Sequence, residues 1–200
     1  VRNSNLTNVS GFGVWAYRSS NNSININIIS TSQGYGYGVY LNTNSNSNTL
    51  ASNNVTTTGN LGYVTYLVSS SNNQISANRL TSSGAGTHAV YIYSSSDNNN
   101  LTGNIIVASG GLNDETGTTG ILIDSSANSI VNNNNATTTG IYSNVFFVSG
   151  SSSSNTTLTN NIIRNSGING MGVYIYYPPN NTIANNTITT SGSSGYGLYI

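Results

Sequence analysis

The chain has 200 residues and an unusually polar, almost uncharged composition. Charged residues make up 4% of it and its net charge is zero, whereas average soluble proteins contain about 25% charged residues. A chain without a basic excess lacks the charge that binds nucleic-acid backbones or anionic membrane surfaces. No apolar run reaches the roughly 18 residues of a membrane-spanning helix. From the charge we therefore expect no nucleic-acid binding, and from the lack of a long apolar run no membrane insertion.

Four residue types dominate the chain, with 37 Asn, 33 Ser, 24 Thr and 22 Gly. Strong helix formers are scarce, because the chain has no Lys, one Glu and one Met, and this disfavours an α-helical fold. The first residue is Val, not Met. We therefore expect residues 1–200 to form one domain that is either a processed chain or a window of a longer one.

An internal repeat runs through the whole chain. Each copy has an anchor, which we define as the aliphatic residue that follows a polar cluster. After a short first step the anchors recur about every 25–29 residues, which gives about eight copies. In chain order the anchors are Leu6, Ile24, Leu50, Ile75, Leu101, Ile130, Leu158 and Ile183.

Two further apolar blocks follow the anchor in each copy. Five residues after the anchor comes a second aliphatic column, which Asn135 interrupts in the sixth copy: Ile29, Val55, Leu80, Ile106, Ile163 and Ile188. Later comes a mostly apolar triplet, at 14–16, 39–41, 65–67, 90–92, 121–123, 145–147, 173–175 and 198–200. Copy one fits this pattern with a deletion of seven residues, and copy five with an insertion of five.

The triplets have the period of two that is typical of β-strands, with Ser, Thr, Gly and Asn in the turns between them. One copy is too small to bury a core, but the same strand from successive copies can stack into parallel sheets. Parallel crossovers are nearly always right-handed. The sequence therefore predicts an all-β fold, a right-handed single-stranded parallel β-helix (a solenoid) of about eight coils of roughly 25 residues.

An Asn column lies three residues after the anchor in seven of the eight copies. Asn tolerates the left-handed backbone of tight turns, and stacked amides can bond one another as in cross-β ladders. We therefore predict a structural Asn ladder, with ligand binding by the row as the alternative. Its members are Asn27, Asn53, Asn78, Asn104, Asn133, Asn161 and Asn186.

The middle position of the triplets is aromatic in every copy except the fifth, where it is Leu122. Because the flanking residues should face the core, this column should face outward. Three interpretations stay open: cross-strand stacking that stiffens a sheet, an apolar contact surface for a partner, and a sugar-binding stripe. The stripe comprises Trp15, Tyr40, Tyr66, Tyr91, Phe146, Tyr174 and Tyr199.

Another partly aromatic column lies thirteen residues after the anchor, and strict alternation along the strand would turn its side chains inward. Neighbouring glycines such as Gly38 and Gly120 leave its direction open. His88, the single histidine, belongs to this column and is expected to be a packing or surface residue. The column reads Phe12, Tyr37, Tyr63, His88, Thr119, Ser143, Met171 and Tyr196.

Several Asn-x-Ser/Thr sequons are candidate N-glycosylation sites, although this composition makes chance matches frequent. Those at Asn5, Asn21, Asn100, Asn155 and Asn180 are expected in exposed turns just before the anchor. The candidate set is Asn5, Asn8, Asn21, Asn54, Asn100, Asn135, Asn155, Asn180 and Asn185.

The segments 180–188 and 195–200 resemble parallel β-helix repeats of the pectate-lyase-like superfamily and of the NosD-type and archaeal surface-protein families. Enzymes of that superfamily carry acidic clusters on their outer face, so the resemblance implies enzyme activity only where such clusters occur. Here Asp97 and Asp124 lie in successive turns without a third carboxylate. Asp114 and Glu115, with Asn113, offer oxygen ligands for calcium, but we expect a solvated loop there and no metal or cofactor.

These observations favour a non-catalytic extracellular or cell-surface structural protein, a subunit of a surface layer, sheath or filament. Near-zero net charge favours association, so we expect head-to-tail or lateral self-association, with glycans as further candidate partners. One alternative is an adhesin or carbohydrate-binding module that uses the aromatic stripe. Another is a degenerate polysaccharide-active enzyme.

Overall fold

A computed structural model describes residues 1–110 and 117–200, except for the side chain of Asn8. In these ranges the secondary structure consists of short parallel strands and no helix. Each complete coil contains three strands, and every strand inside a sheet pairs with the equivalent strands of the coils above and below. The predicted all-β parallel solenoid is confirmed.

Three parallel sheets run along the solenoid axis, and we number them by the position of their strands within a coil. Sheet one has seven strands: Ser23–Asn25, Thr49–Ala51, Gln74–Ser76, Asn100–Thr102, Ile130–Asn132, Thr157–Thr159 and Thr182–Ala184. Sheet two has eight: Asn5–Val9, Ile28–Thr31, Asn54–Thr57, Arg79–Ser82, Ile105–Ala108, Asn135–Thr138, Ile162–Asn165 and Thr187–Thr190. Sheet three has eight: Val14–Tyr17, Val39–Asn42, Thr65–Val68, His88–Tyr93, Thr119–Asp124, Asn144–Ser149, Met171–Tyr176 and Tyr196–Tyr199.

The core is a set of aliphatic columns inside the three sheets. Leu50, Ile75 and Leu101 stack in sheet one and are at most 2% exposed. Val55 and Leu80 do the same in sheet two. Burying one such side chain contributes roughly 1.5–3 kcal/mol. The coils therefore depend on their neighbours for most of their stability.

The helix has about seven full coils, because the first strand of sheet one belongs to the second predicted copy. The sequence predicts Leu6 in the anchor column, but Leu6 pairs with Ile29 in sheet two. Trp15 pairs directly with Tyr40. Once Leu6 moves to the second aliphatic column, the first step becomes 23 residues long and the deletion in copy one shrinks from seven residues to two.

In the sixth copy the predicted register is wrong by one residue. Val131, not Ile130, pairs with Leu101 and Leu158 and is buried, while Ile130 is 46% exposed. Ala136 accordingly occupies the second aliphatic column in place of Asn135. Because side chains alternate between the two faces of a strand, a shift of one residue exchanges every inward and outward position.

Candidate functional site

Short turns between sheets one and two carry a buried ladder of amide side chains. In each step the Nδ2 of one Asn donates to the Oδ1 of the next, as from Asn53 to Asn78 at 2.9 Å and from Asn78 to Asn104 at 3.0 Å. The same Oδ1 also accepts the backbone N–H of the preceding ladder Asn. The ladder runs through Asn27, Asn53, Asn78, Asn104, Asn134, Asn161 and Asn186.

The second Nδ2 hydrogen of each interior amide also has an acceptor. Asn104 donates it to the carbonyl oxygen of Ile75, 2.8 Å away in the preceding coil. Both donors of the Asn104 amide are therefore engaged, and its oxygen accepts two N–H groups from Asn78. An amide has two donors and two lone pairs. These interior side chains thus have no hydrogen-bonding capacity left for a ligand.

The assignment of Asn133 to the ladder is wrong. Asn104 bonds Asn134, and Asn133 is exposed with a left-handed φ of 55°. Asn133 instead occupies the turn position just before the ladder, equivalent to Ala77 and Gly103. The cause is the shift of one residue in copy six.

A second set of ladders lies in the turns between sheets three and one, and our sequence reasoning missed it. Asn48 bonds Asn73 through its backbone N–H at 2.8 Å, and Asn73 bonds Asn99 in the same way. Beside it runs a ladder of Ser hydroxyls in which Ser70 Oγ accepts from the backbone of Ser45. The pattern Ser-x-x-Asn, ending two residues before the anchor, is the sequence signal that identifies this turn.

The outer face of sheet three carries two interlocked columns of rings. We call Phe12, Tyr37, Tyr63 and His88 the first aromatic column, and Trp15, Tyr40, Tyr66, Tyr91, Phe147, Tyr174 and Tyr199 the second. Within the first column the rings stack with centroids 5.0–5.3 Å apart. Between columns they meet edge to face, as Tyr63 and Tyr66 do at 5.0 Å. Both columns therefore face outward.

The sequence predicts that Phe146 belongs to the outward-facing aromatic stripe, and that prediction is wrong. Phe146 is 1% exposed and lies in the core between Ile121 and Val173. Phe147 takes the outward position, where it stacks on Tyr174 with centroids 4.8 Å apart. The same shift in copy six places Asn144, not Ser143, in register with Thr119.

Stacking also limits which parts of the rings are accessible to another molecule. Interior rings such as Tyr40 and Tyr66 have ring neighbours above and below, which leaves chiefly their edges exposed to solvent. Burial raises the pKa of the Tyr66 and Tyr91 hydroxyls above the ordinary value, and the carboxylate of Asp124 adds to the effect on Tyr91. The hydroxyls therefore stay neutral well into the alkaline range.

His88 ends the first aromatic column. It stacks on Tyr63 with centroids 5.0 Å apart and meets Tyr91 edge to face. Its Nδ1 atom is buried and has no hydrogen-bond partner among the described residues. Burial lowers the pKa of His88 to about 4, so the ring is neutral at pH 7.

The fifth coil interrupts both columns. Thr119 is in register with His88, and Leu122 is in register with Tyr91 and Phe147. A groove of about 310 Å³ opens at this interruption. It is lined by Leu61, Tyr63, Gly86, His88, Gly117, Thr119, Leu122, Tyr142, Asn144 and Phe147. Among the described lining residues there is no charged side chain.

The two acidic residues of the described ranges accept hydrogen bonds from the turns of the solenoid. Asp97 Oδ1 accepts the backbone N–H of Ala127 at 2.7 Å, and Asp124 Oδ1 accepts the hydroxyl of Ser125. Within 1–110 and 117–200 no three His, Asp or Glu side chains cluster as metal ligands would. The suggested calcium ligands Asn113, Asp114 and Glu115 lie outside the described residues.

The sequons occupy several different environments. Asn21, Asn155 and Asn180 share one exposed turn column with left-handed φ values of 58–61°. Asn54 and Asn135 are exposed at the first residue of their strands, and Asn185 is exposed in a left-handed turn. The expected turn location is wrong for Asn5 and Asn100, which lie in strands. The side chain of Asn8 is not described.

Comparison with known proteins agrees with the architecture. No helix in the described ranges is long and apolar enough to cross a membrane, and no curated protein matches the chain. The family model described as right handed beta helix region matches residues 1–136. With that match and three continuous parallel sheets, the chain belongs to the right-handed β-helix family.

Proposed function

We propose that this β-helix is a non-catalytic structural protein of the cell surface or extracellular space, a subunit of a layer, sheath or filament. One observation carries this proposal: the Asn, Ser and aromatic side chains that are so frequent in this chain make contacts between successive coils. The Asn and Ser ladders and the stacked rings join successive coils. In a chain built in this way each coil is stabilised by its neighbours along the axis, which suits an element of a wall or filament.

Association between such rods is supported by charge and by surface composition. The net charge is zero, so rods do not repel one another strongly. Exposed aromatic residues concentrate on the outer face of sheet three, where Trp15, Tyr17, Tyr93 and Tyr176 are each more than a third exposed. Exposed apolar surface of this kind favours contact with another molecule. We propose that sheet three mediates lateral contact between copies.

Sedimentation velocity over a concentration series, with negative-stain microscopy, tests this proposal. We expect the wild-type chain to form laterally associated rods, and Tyr93→Lys combined with Tyr176→Lys to release monomers through charge repulsion. Thr81→Lys combined with Thr137→Lys is the matched control, because it adds the same charge to the outer face of sheet two. A wild-type chain that stays monomeric at every concentration, or equal effects of the two pairs, would contradict the proposal.

Carbohydrate binding by the whole aromatic stripe has less support, because stacked neighbours cover the faces of its interior rings. Sugar rings pack on aromatic faces, and such faces are open only where a column is interrupted. A glycan array measured with the intact chain separates this function from the structural one. Lyase and hydrolase assays on acidic and neutral polysaccharides test the remaining alternative, a degenerate enzyme.

A further inference from the structure

The second aromatic column is a continuous series of oxidisable rings in coils one to four. Ring centroids lie 6.4 Å apart between Trp15 and Tyr40, and 5.2 Å apart between Tyr40 and Tyr66. Tyr91 follows Tyr66 at 5.1 Å, and Tyr93 lies 5.3 Å from Tyr91 on the same strand. Each ring is thus within the contact range of aromatic pairs, about 4.5–7 Å.

The first aromatic column adds a parallel path beside these rings. Tyr37 meets Tyr40 at 5.2 Å and Tyr66 at 5.1 Å. Tyr63 meets Tyr66 at 5.0 Å and Tyr91 at 5.3 Å. The chain contains no Cys, and among the other side chains indole and phenol rings lose a single electron most readily. Because electron transfer weakens steeply with distance, rings in contact exchange electrons far faster than isolated ones.

Charges of opposite sign lie at the two ends of this ring array, although the chain has only four basic and four acidic side chains. At one end the guanidinium of Arg18 lies over the ring of Tyr17, 5.3 Å from its centroid, and Tyr17 is 6.0 Å from Trp15. At the other end Asp124 is in register with Tyr93 in the next coil. An oxidised ring carries positive charge until its proton leaves, so it is favoured near the carboxylate and disfavoured near the guanidinium.

We infer that these rings relay one-electron oxidation from Trp15 to Tyr93 within the folded chain. An external inorganic radical takes one electron from Trp15, and the indole N–H proton passes to water. Electrons then move from ring to ring toward Trp15, which regains a proton from water. The phenol of Tyr93 releases its proton to water and becomes a neutral phenoxyl radical, so one electron and one proton leave the chain in total. At neutral pH the indolyl radical is a stronger oxidant than the phenoxyl radical, which makes this direction favourable.

The relay ends in coil four. Tyr93 is exposed, whereas Tyr91 is only partly exposed, so Tyr93 releases its proton to water more easily. Beyond Tyr91 the column continues with Leu122 and Phe147, neither of which is readily oxidised. The next tyrosine of the column is Tyr174, three strand spacings or about 14 Å from Tyr91. Oxidation that begins at Trp15 is therefore delivered to one exposed phenol on the outer face of sheet three.

Pulse radiolysis with azide radicals, which at neutral pH oxidise indole in preference to phenol, tests the relay. Trp15 is the single Trp of the chain, so its radical has its own absorption signal. We expect this signal to decay as phenoxyl absorption rises, at a first-order rate that does not depend on protein concentration. A nitroso spin trap followed by peptide mass spectrometry locates the final radical, which we expect at Tyr93. Trp15→Phe measures the labelling of Tyr93 by direct attack.

Tyr63→Phe combined with Tyr66→Phe interrupts the relay in coil three, because phenylalanine keeps the stacked rings but is hard to oxidise. In this variant the labelling of Tyr93 should fall to the level of direct attack. Tyr174→Phe combined with Tyr199→Phe is the matched control, since it makes the same change on the same sheet beyond the end of the relay. It should leave the labelling of Tyr93 unchanged, and thermal melts verify that each variant folds.

Asp124→Asn tests the direction of the relay, because it removes the negative charge and keeps an oxygen that can accept the hydroxyl of Ser125. It should lower the labelling of Tyr93. The inference is overturned if the indolyl signal decays without a rise of phenoxyl absorption, or if its decay rate increases with protein concentration. Labelling of Tyr93 at the wild-type level in the folded Tyr63→Phe and Tyr66→Phe double variant, or in Asp124→Asn, would also contradict it.

Discussion

The amide of Asn104 donates to the Oδ1 of Asn134 at 2.9 Å, although the two residues are 30 positions apart. This bond crosses the longest gap between successive members of the ladder and keeps it continuous past the insertion of the fifth copy. Asn134 in turn bonds Asn161. The ladder therefore ties together coils whose connecting turns differ in length.

Replacing Asn134 with Ala should destabilise the protein by more than about 2 kcal/mol, because it leaves the buried N–H groups of Asn104 without an acceptor. Asn133→Gly is the matched control: it keeps the left-handed turn and touches no ladder bond, so its effect should stay within about 0.5 kcal/mol. Urea denaturation of both variants measures the difference. Equal losses would show that the ladder does not carry this stability.

Thr65→Val should stabilise the protein by roughly 1–2 kcal/mol. Thr65 is fully buried in line with Val39 and Val90, and its hydroxyl has no partner among the described residues. An unsatisfied buried hydroxyl costs about 1–3 kcal/mol, and valine has nearly the same shape.

Thr57→Val is the counterpart, since the hydroxyl of Thr57 donates to the carbonyl of Gly62 at 2.9 Å. It should destabilise by about 1 kcal/mol, the typical net value of one hydrogen bond. Melting temperatures of the two variants should therefore move in opposite directions. A fall in both would contradict the assignment of Thr65 as unsatisfied.

Ala77→Gly and Gly103→Ala should also have opposite effects. Both residues lie just before a ladder Asn, with φ values of 54° and 67°, and no atom within 4 Å would obstruct a Cβ at Gly103. A left-handed backbone costs a residue with a Cβ roughly 1–2 kcal/mol. We expect Ala77→Gly to raise the free energy of unfolding and Gly103→Ala to lower it, each by up to about 1 kcal/mol.

Stability should fall as the pH drops from about 6.5 toward 4. The unfolded chain protonates His88 near its ordinary pKa of about 6.5, whereas burial between Tyr63, Tyr91 and the sheet keeps the folded ring neutral. The stability due to the lowered pKa is thus complete above pH 6.5 and is lost on acidification. His88→Phe should remove this dependence, and a wild-type melting temperature that stays constant between pH 7 and 4 would contradict it.

At alkaline pH the dependence is reversed, and stability falls as the pH rises. The raised pKa values of Tyr66 and Tyr91 mean that the unfolded chain loses these protons near pH 10 while the folded chain retains them. Stability should therefore decline above about pH 10. Tyrosinate absorbance, measured at rising pH in the wild type and in Tyr91→Phe, shows whether the folded chain retains these protons.

The sequence by itself was sufficient to predict the coil, its period and most of its columns. Leu50, Asn53, Val55 and Tyr66 recur at fixed spacings because each coil must place the same side chain over its neighbour. Outside the sixth copy, alternation in the triplets also identified which residues face the core. The ladder of Asn48, Asn73 and Asn99, which we did not predict, also repeats once per coil. The Ser-x-x-Asn spacing identifies its members in the sequence.

Only the tertiary structure decided the register of the sixth copy and the direction of the first aromatic column. Ile130 and Val131 are adjacent aliphatic residues followed by four consecutive Asn residues, so no local pattern distinguishes the inward residue. The choice is made by pairing with Leu101 and Leu158, which lie one coil away on either side.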